Sequence, residues 1–224
     1  MKLSQVVPFG RSLDEYRKMF ALSESELKTK SILGVGDGPA SFNAQATPMG
    51  ANITSIDPIY QFSGAEIKQR FDAVVDNIIE QVIASPNVWV WSYHTSPQTL
   101  KASRIKTLEL FLADYESGKQ EQRYLTAELP SLDFSEWQFD LALCSHFLFL
   151  YSQHCSRTFH FESIREMLRV SREVRIFPLL TLSWETSPYL DFILREFQAL
   201  GYSVAITEVQ YELQKGGNKM LVIK

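Results

Sequence analysis

The stretch SILGVGDGPASFN, residues 31–43, runs from an apolar segment straight into glycines and then toward a helix. Residues 32–35 read as a buried strand, being short, apolar and bounded by glycines. Glycines in the loop that follows remove Cβ atoms, so main chain there can approach a ligand and adopt conformations closed to other residues. The spacing of Gly34, Gly36 and Gly38 is G-x-G-x-G. It departs from the dinucleotide fingerprint G-x-G-x-x-G, which needs glycine where Pro39 stands, and it lacks the Gly-Lys-Ser/Thr of a phosphate loop. Three ligands remain in view: a dinucleotide, a phosphate, or an adenosine with a charged tail.

Working outward, residues 40–49 read as a helix stopped by Gly50. Residues 52–56 (NITSI) alternate as a strand does and end at Asp57-Pro58. Asp57 stands about as far beyond the glycine loop as an acid that accepts from ribose hydroxyls, and a carboxylate makes the stronger, charge-assisted kind of bond. Upstream, residues 13–27 read as short helices. Downstream, FDAVVDNIIEQVIA (71–84) places apolar residues at three- and four-residue steps, the pattern of an amphipathic helix. Ser96-Pro97 signals a second helix, and residues 105–115 a third that ends near Gly118.

Strand signals return at 123–127 and 139–144, followed by a helix at 164–168 and a buried strand at 174–182. A further helix runs from Ser187-Pro188 to Gly201. Residues 203–213 and 220–223 then form two strands joined through the glycine-rich QKGGNK (214–219), a β-hairpin signature. Strands alternating with helices predict an α/β fold: a doubly wound, mostly parallel seven-stranded sheet with a C-terminal antiparallel hairpin. At 224 residues and 45% apolar content, the chain is expected to form a single domain over 1–224. Residues 1–30 would be a helical lead-in, and about 60–123 a helical insertion.

A formal charge of −4 argues against an obligate nucleic-acid binder, which needs a basic surface. Cys144 and Cys155 have no metal-ligand or CxxC spacing, which fits a reducing compartment. The amino terminus carries no apolar signal core, and the most apolar stretch, 139–151, is too short to span a bilayer. The expectation is a soluble, cytoplasmic protein with no membrane partner. The histidines share no metal-like spacing with acids or cysteines, so no metal is expected.

The order of ILGVGDG, SIDP, YLTAELPSLDFSEWQFDLALCSH and the closing KMLVIK resembles the class I S-adenosylmethionine-dependent methyltransferases over residues 31–224. The resemblance implies S-adenosyl-L-methionine as cofactor and in-line methyl transfer to an acceptor. The insertion and the absence of a basic run favour a small-molecule acceptor. Among the cofactor-binding residues would be Gly34, Gly36, Asp37 and Gly38, the last three passing beneath the methionine part. Asp57 would hold the ribose, Pro58 and Ile59 would flank the adenine, and Ala127 and Glu128 would lie at its edge. Ser145 and His146 would face cofactor and substrate.

Two departures stand out: the family often has an acid where Gly34 stands, and often Asp within residues 125–127. They feed an alternative reading, a non-catalytic cofactor- or partner-binding protein that keeps the fold. A nicotinamide oxidoreductase is disfavoured by Pro39 and by the terminal hairpin. His146, just past a strand whose carboxyl end should face the cleft, is the candidate catalytic base; the competing reading is a histidine satisfied by main chain. The aromatic VWVWSYH (88–94) is either a core patch or a lid over the acceptor. The segment PFGRSLDEYRKMF (8–20) is placed to fold over the cleft, offering Arg11 to a carboxylate and Tyr16 to the cofactor.

Overall fold

Strand β1 (Ser31–Val35) lies third in a seven-stranded sheet in the computed structural model, which describes residue 3 and residues 5–224. On one side of it stand β2 (Asn52–Ile56) and then β3 (Tyr124–Leu125) at the edge. On the other stand β4 (Leu141–Ser145), β5 (Val174–Phe177), β7 (Lys219–Ile223) and β6 (Val204–Glu208), in that order. β1 to β5 pair in parallel, with Ile32 opposite both Ile53 and Leu141. β7 runs antiparallel between β5 and β6, which gives the expected terminal hairpin. The order reverses between β1 and β4, and an open α/β sheet leaves a crevice beyond the strand ends at such a point.

Successive strand residues point to opposite faces, and the core divides accordingly. Ile32, Leu141 and Leu143 belong to one apolar cluster, and Leu33, Val35, Ala142 and Cys144 to another. The first cluster also holds buried residues of α1 (Leu13–Met19), α2 (Glu24–Thr29), α3 (Phe42–Ala46), α4 (Gly64–Ile83) and α5 (Pro97–Gln120). The second holds residues of α6 (Arg157–Val170) and α7 (Leu190–Ala199). Each fully buried aliphatic side chain contributes roughly 1.5–3 kcal/mol. Ser12, Ser23 and Ser63 close capping boxes with Glu15, Glu26 and Glu66, which fixes where α1, α2 and α4 begin.

Several boundaries differ from expectation. The helix predicted over 40–49 is only five residues of α-helix, followed by a 3-10 turn at Thr47–Met49 and a left-handed Gly50 at φ 90°. Pro48 has no N–H for an α-helical bond, and the chain tightens there. The two helices expected at 97 and at 105–115 are one, α5, of 24 residues, because no breaker lies between them. It packs on α3 and β3, while α4 lies alongside it. β5 stops at Phe177 rather than reaching residue 182, since Pro178 cannot continue the ladder.

The link between β6 and β7 spans residues 209–218, longer than the predicted 214–219. It is tied to the aromatic segment: Val90 N donates to Leu213 O at 2.8 Å, and Lys215 N to Val88 O at 2.9 Å. Between β3 and β4, residues 126–140 contain no helix. Their backbone is instead held by α6, where Arg169 donates to the carbonyls of Leu132 and Phe134 and Glu166 accepts from Leu132 N. Among the described residues no helix is long and apolar enough to cross a membrane.

Candidate functional site

A cleft of about 590 Å³ opens past the carboxyl ends of β1, β2 and β4, a size usual for small-molecule sites. Gly36, Asp37, Gly38, Asp57, Pro58, Ala127, Glu128, Ser145 and His146 all line it. The amino-terminal segment covers it with Val7, Phe9, Arg11 and Tyr16, and α4 adds Arg70, Ala73 and Val74.

Gly34 is the exception and corrects the sequence reading: it does not line the cleft. A Cβ on Gly34 would lie 1.9 Å from Asp37 Oδ2, so the glycine exists to admit that carboxylate. Asp37 folds back over β1, where Oδ1 accepts from the Tyr16 hydroxyl at 2.6 Å and Oδ2 from Ser55 Oγ at 2.6 Å. An acid absent at position 34 is thus supplied from position 37.

The loop itself is closed on the protein. Gly36 and Gly38 adopt φ of 65° and 53°, the left-handed region that glycine enters without strain. Gly36 N donates to Ile56 O at 2.9 Å, Asp37 N to the same carbonyl at 3.4 Å, and Gly38 N to Asp57 Oδ2 at 2.8 Å. A phosphate-binding loop needs free N–H groups, and these three are taken. Asp57 also accepts from Ile59 N at 2.8 Å through Oδ1. Its two oxygens carry about four lone-pair sites, so each can still accept from a ligand.

Burial pushes both carboxyls up to about 6, and the hydrogen bonds that each accepts only partly offset this. For Asp37 the neighbouring Asp57 charge adds to the rise. Among the described residues neither acid has a salt-bridge partner. Two acids held this way form a site for positive charge. In the ligand-free protein they disfavour folding above about pH 6, and that penalty disappears as pH falls toward the ordinary aspartate value near 3.9.

His146 follows β4 directly, at a left-handed φ of 52°, with its N–H bonded to Phe177 O at 2.6 Å. Burial, then the charges of Arg11 and Arg104, hold its pKa well below the usual range, so the imidazole is neutral. Its Nδ1 is 3.0 Å from Ser145 Oγ.

A second cavity of about 80 Å³ adjoins the cleft, and Val7, Phe9, Arg11 and His146 line both. Its walls include Trp89, Leu100, Leu150, Leu182 and Leu213. The aromatic segment 88–94 packs as a core patch, with Trp89 buried and Trp91 and Tyr93 against it, and Trp89 also forms chamber wall. Sequence reasoning missed the buried group beneath, where Arg104 makes two 2.7 Å bonds to Glu15, whose Oε1 also meets His94 and Tyr211. The available signal was an arginine in line with Leu100 and Leu108 on an apolar helix face.

The fold is shared with magnesium protoporphyrin IX methyltransferase from Synechocystis PCC 6803. The structure of that enzyme with bound SAM is 11% identical, with a TM-score of 0.51 covering 94% of this chain and 76% of that one. Its complex with SAH matches equally, at 11% identity and a TM-score of 0.51, covering 94% and 80%. The chain therefore has the fold of the class I S-adenosylmethionine-dependent methyltransferases. No protein-family model matches it. It is 36% identical over 225 residues to the uncharacterized protein MJ0045 of Methanocaldococcus jannaschii, covering 100% of this chain and 98% of that protein, and it belongs to the family of that protein.

Proposed function

We propose that the protein is an S-adenosylmethionine-dependent methyltransferase acting on a small-molecule acceptor. The observation that carries this is the pair of carboxylates in a ligand-sized cleft, Asp37 buried and Asp57 half-buried, neither in a salt bridge among the described residues. S-adenosylmethionine is a cation with a ribose diol and a nucleobase, and its bound form supplies a methyl group already activated on a sulfonium. A dinucleotide would bring a pyrophosphate against two acids and a loop without free N–H groups. Asp57 holds the ribose, Ile59 and Pro58 flank the base, and Asp37 supplies negative charge near the loop.

What remains for the protein is to align the acceptor and exclude water. His146 stands where cleft and chamber meet. With Nδ1–H donating to Ser145 Oγ, its Nε2 keeps the lone pair and takes a proton from an acceptor hydroxyl or amine.

Calorimetric titration of the ligand-stripped protein with S-adenosylhomocysteine, and with NADH as control, tests the cofactor. The former is expected to bind and NADH not to. Asp57→Asn should weaken binding about 10- to 100-fold, the worth of a charged hydrogen bond. The S-adenosylmethionine cation, titrated in the same way, lowers the two carboxyl pKa values from about 6 as it binds. Binding at pH 6 should therefore release protons, seen as a heat that changes with buffer ionisation enthalpy, and at pH 8 should not. Binding of NADH alone would end this reading. For His146, the expected result of His146→Ala is unchanged S-adenosylhomocysteine affinity within about twofold and methyl transfer reduced about 10²-fold or more. Full transfer in that variant would remove His146 from the chemistry.

A further inference from the structure

We infer that the chamber beside the cleft takes a small apolar carboxylic acid, its carboxylate seated on the free edge of Arg11. This rests on the reading above and names the part of the acceptor that the chamber holds, the hydroxyl or amine that receives the methyl group lying at His146.

Arg11 is buried at 8% exposure, and it lines both cavities. Its Nη1 is engaged by the carbonyls of Phe9 and, at 3.4 Å, Gly10. Nε has no partner, and among the described residues no hydrogen bond or salt bridge from Nη2 is present. Nε–H and Nη2–H form one edge of the planar guanidinium, two parallel donors spaced to meet the two oxygens of a carboxylate. The edge without a protein partner is therefore the one suited to a bidentate anion.

Charge bookkeeping within the buried group agrees. Glu15 is committed to Arg104 through two 2.7 Å bonds, while burial and the two arginines keep His146 neutral. Arg11 is then a buried cation without a carboxylate of its own. Burial lowers its pKa only to about 10, so it stays charged at neutral pH. A buried charge lacking a partner is costly, and an anionic ligand removes that cost.

The chamber's remaining walls say what the anion carries. They are mostly apolar, with aliphatic residues such as Val82, Leu100 and Leu150, and the polar tips of Tyr151, Tyr211 and Gln214 are engaged by protein partners. The other unpartnered polar atom there, Trp89 Nε1, is again a donor. A cavity of about 80 Å³, at 10–15 Å³ for each water-sized occupant, holds about five to eight non-hydrogen atoms. That suits a short aliphatic or branched acid.

Hexanoate is a direct probe, with hexanamide as its neutral counterpart. Titrated into the full chain, hexanoate is expected to bind about tenfold or more tightly than hexanamide, the worth of a charged over a neutral hydrogen bond. Saturating S-adenosylhomocysteine should leave that binding in place. Arg11→Gln should lose hexanoate about tenfold or more while keeping S-adenosylhomocysteine within about twofold. Equal binding of acid and amide by the unmodified protein, or no binding of either, overturns the inference without needing any variant. So does competition between hexanoate and S-adenosylhomocysteine together with loss of the latter in Arg11→Gln, which would give Arg11 to the cofactor's own carboxylate. Hexanoate binding without S-adenosylhomocysteine binding would uphold the chamber and overturn only the cofactor assignment.

Discussion

Glu15→Gln is expected to destabilise the protein by about 3–5 kcal/mol, because removing one member of a buried ion pair leaves the other charge uncompensated. For a chain of this size that corresponds to roughly 6–20 °C in melting temperature. Glu15 is fully buried, and it faces Arg104, Arg11, His94 and Tyr211. Burial alone would raise its pKa, but the Arg104 charge and the bonds from His94 and Arg104 hold it well below the ordinary glutamate range. A depressed carboxyl stabilises the fold above its unfolded value near 4.3 and loses that effect as pH falls below it. Glutamine preserves the shape and removes the charge, leaving two guanidinium groups buried together. The check is a double-mutant cycle by thermal unfolding, in which adding Arg104→Met to Glu15→Gln should recover much of the loss. A single variant melting within about 1 °C of the parent would show that the pair is not what holds the amino-terminal segment in place.

That segment also marks the limit of what could be read from the sequence. The fold class was legible because strands alternated with helices and the order of motifs, ending in a hairpin, resembled one family, while the strand order itself came from the structure. Lengths were less legible. The predicted helix boundary within α5 had no proline or glycine to justify it, and residues 209–213 look strand-like because Tyr211 and Leu213 are buried in the core rather than paired in the ladder. In the site, residues named by loop and strand-end position lie together on the cleft, since position along a strand fixes where a residue emerges. Arg11 and Tyr16 were placeable only as neighbours of the cleft. Their roles depend on contacts to Asp37 and on the charge balance around Glu15, and neither follows from spacing along the chain.

Gly34→Ala is expected to cost about 2–5 kcal/mol, combining overpacking with the loss of buried hydrogen bonds. The added methyl group would stand 1.9 Å from Asp37 Oδ2 and 2.5 Å from its Cγ, which real atoms do not tolerate. Asp37 must rotate away, and Tyr16 and Ser55 then keep hydroxyls with no acceptor in a buried setting. Backbone strain does not enter, because Gly34 lies within β1 and its φ is not left-handed. The cost is purely the displaced carboxylate, and this makes a rescue possible. Gly34→Asp alone should be destabilised as severely, with two carboxylates competing for one space. Adding Asp37→Ala empties that space, so an acid growing from β1 can face Tyr16 and Ser55 in its place. Urea midpoints of the parent, both single variants at position 34 and the double variant give the answer. If Gly34→Ala unfolds at the parent's midpoint, or the double variant recovers nothing over Gly34→Asp, the glycine is not making room for Asp37. Recovery in the double variant would mean that the two positions are alternative origins for one carboxylate, and that the missing acid at position 34 is a relocation of charge along the loop and not its loss.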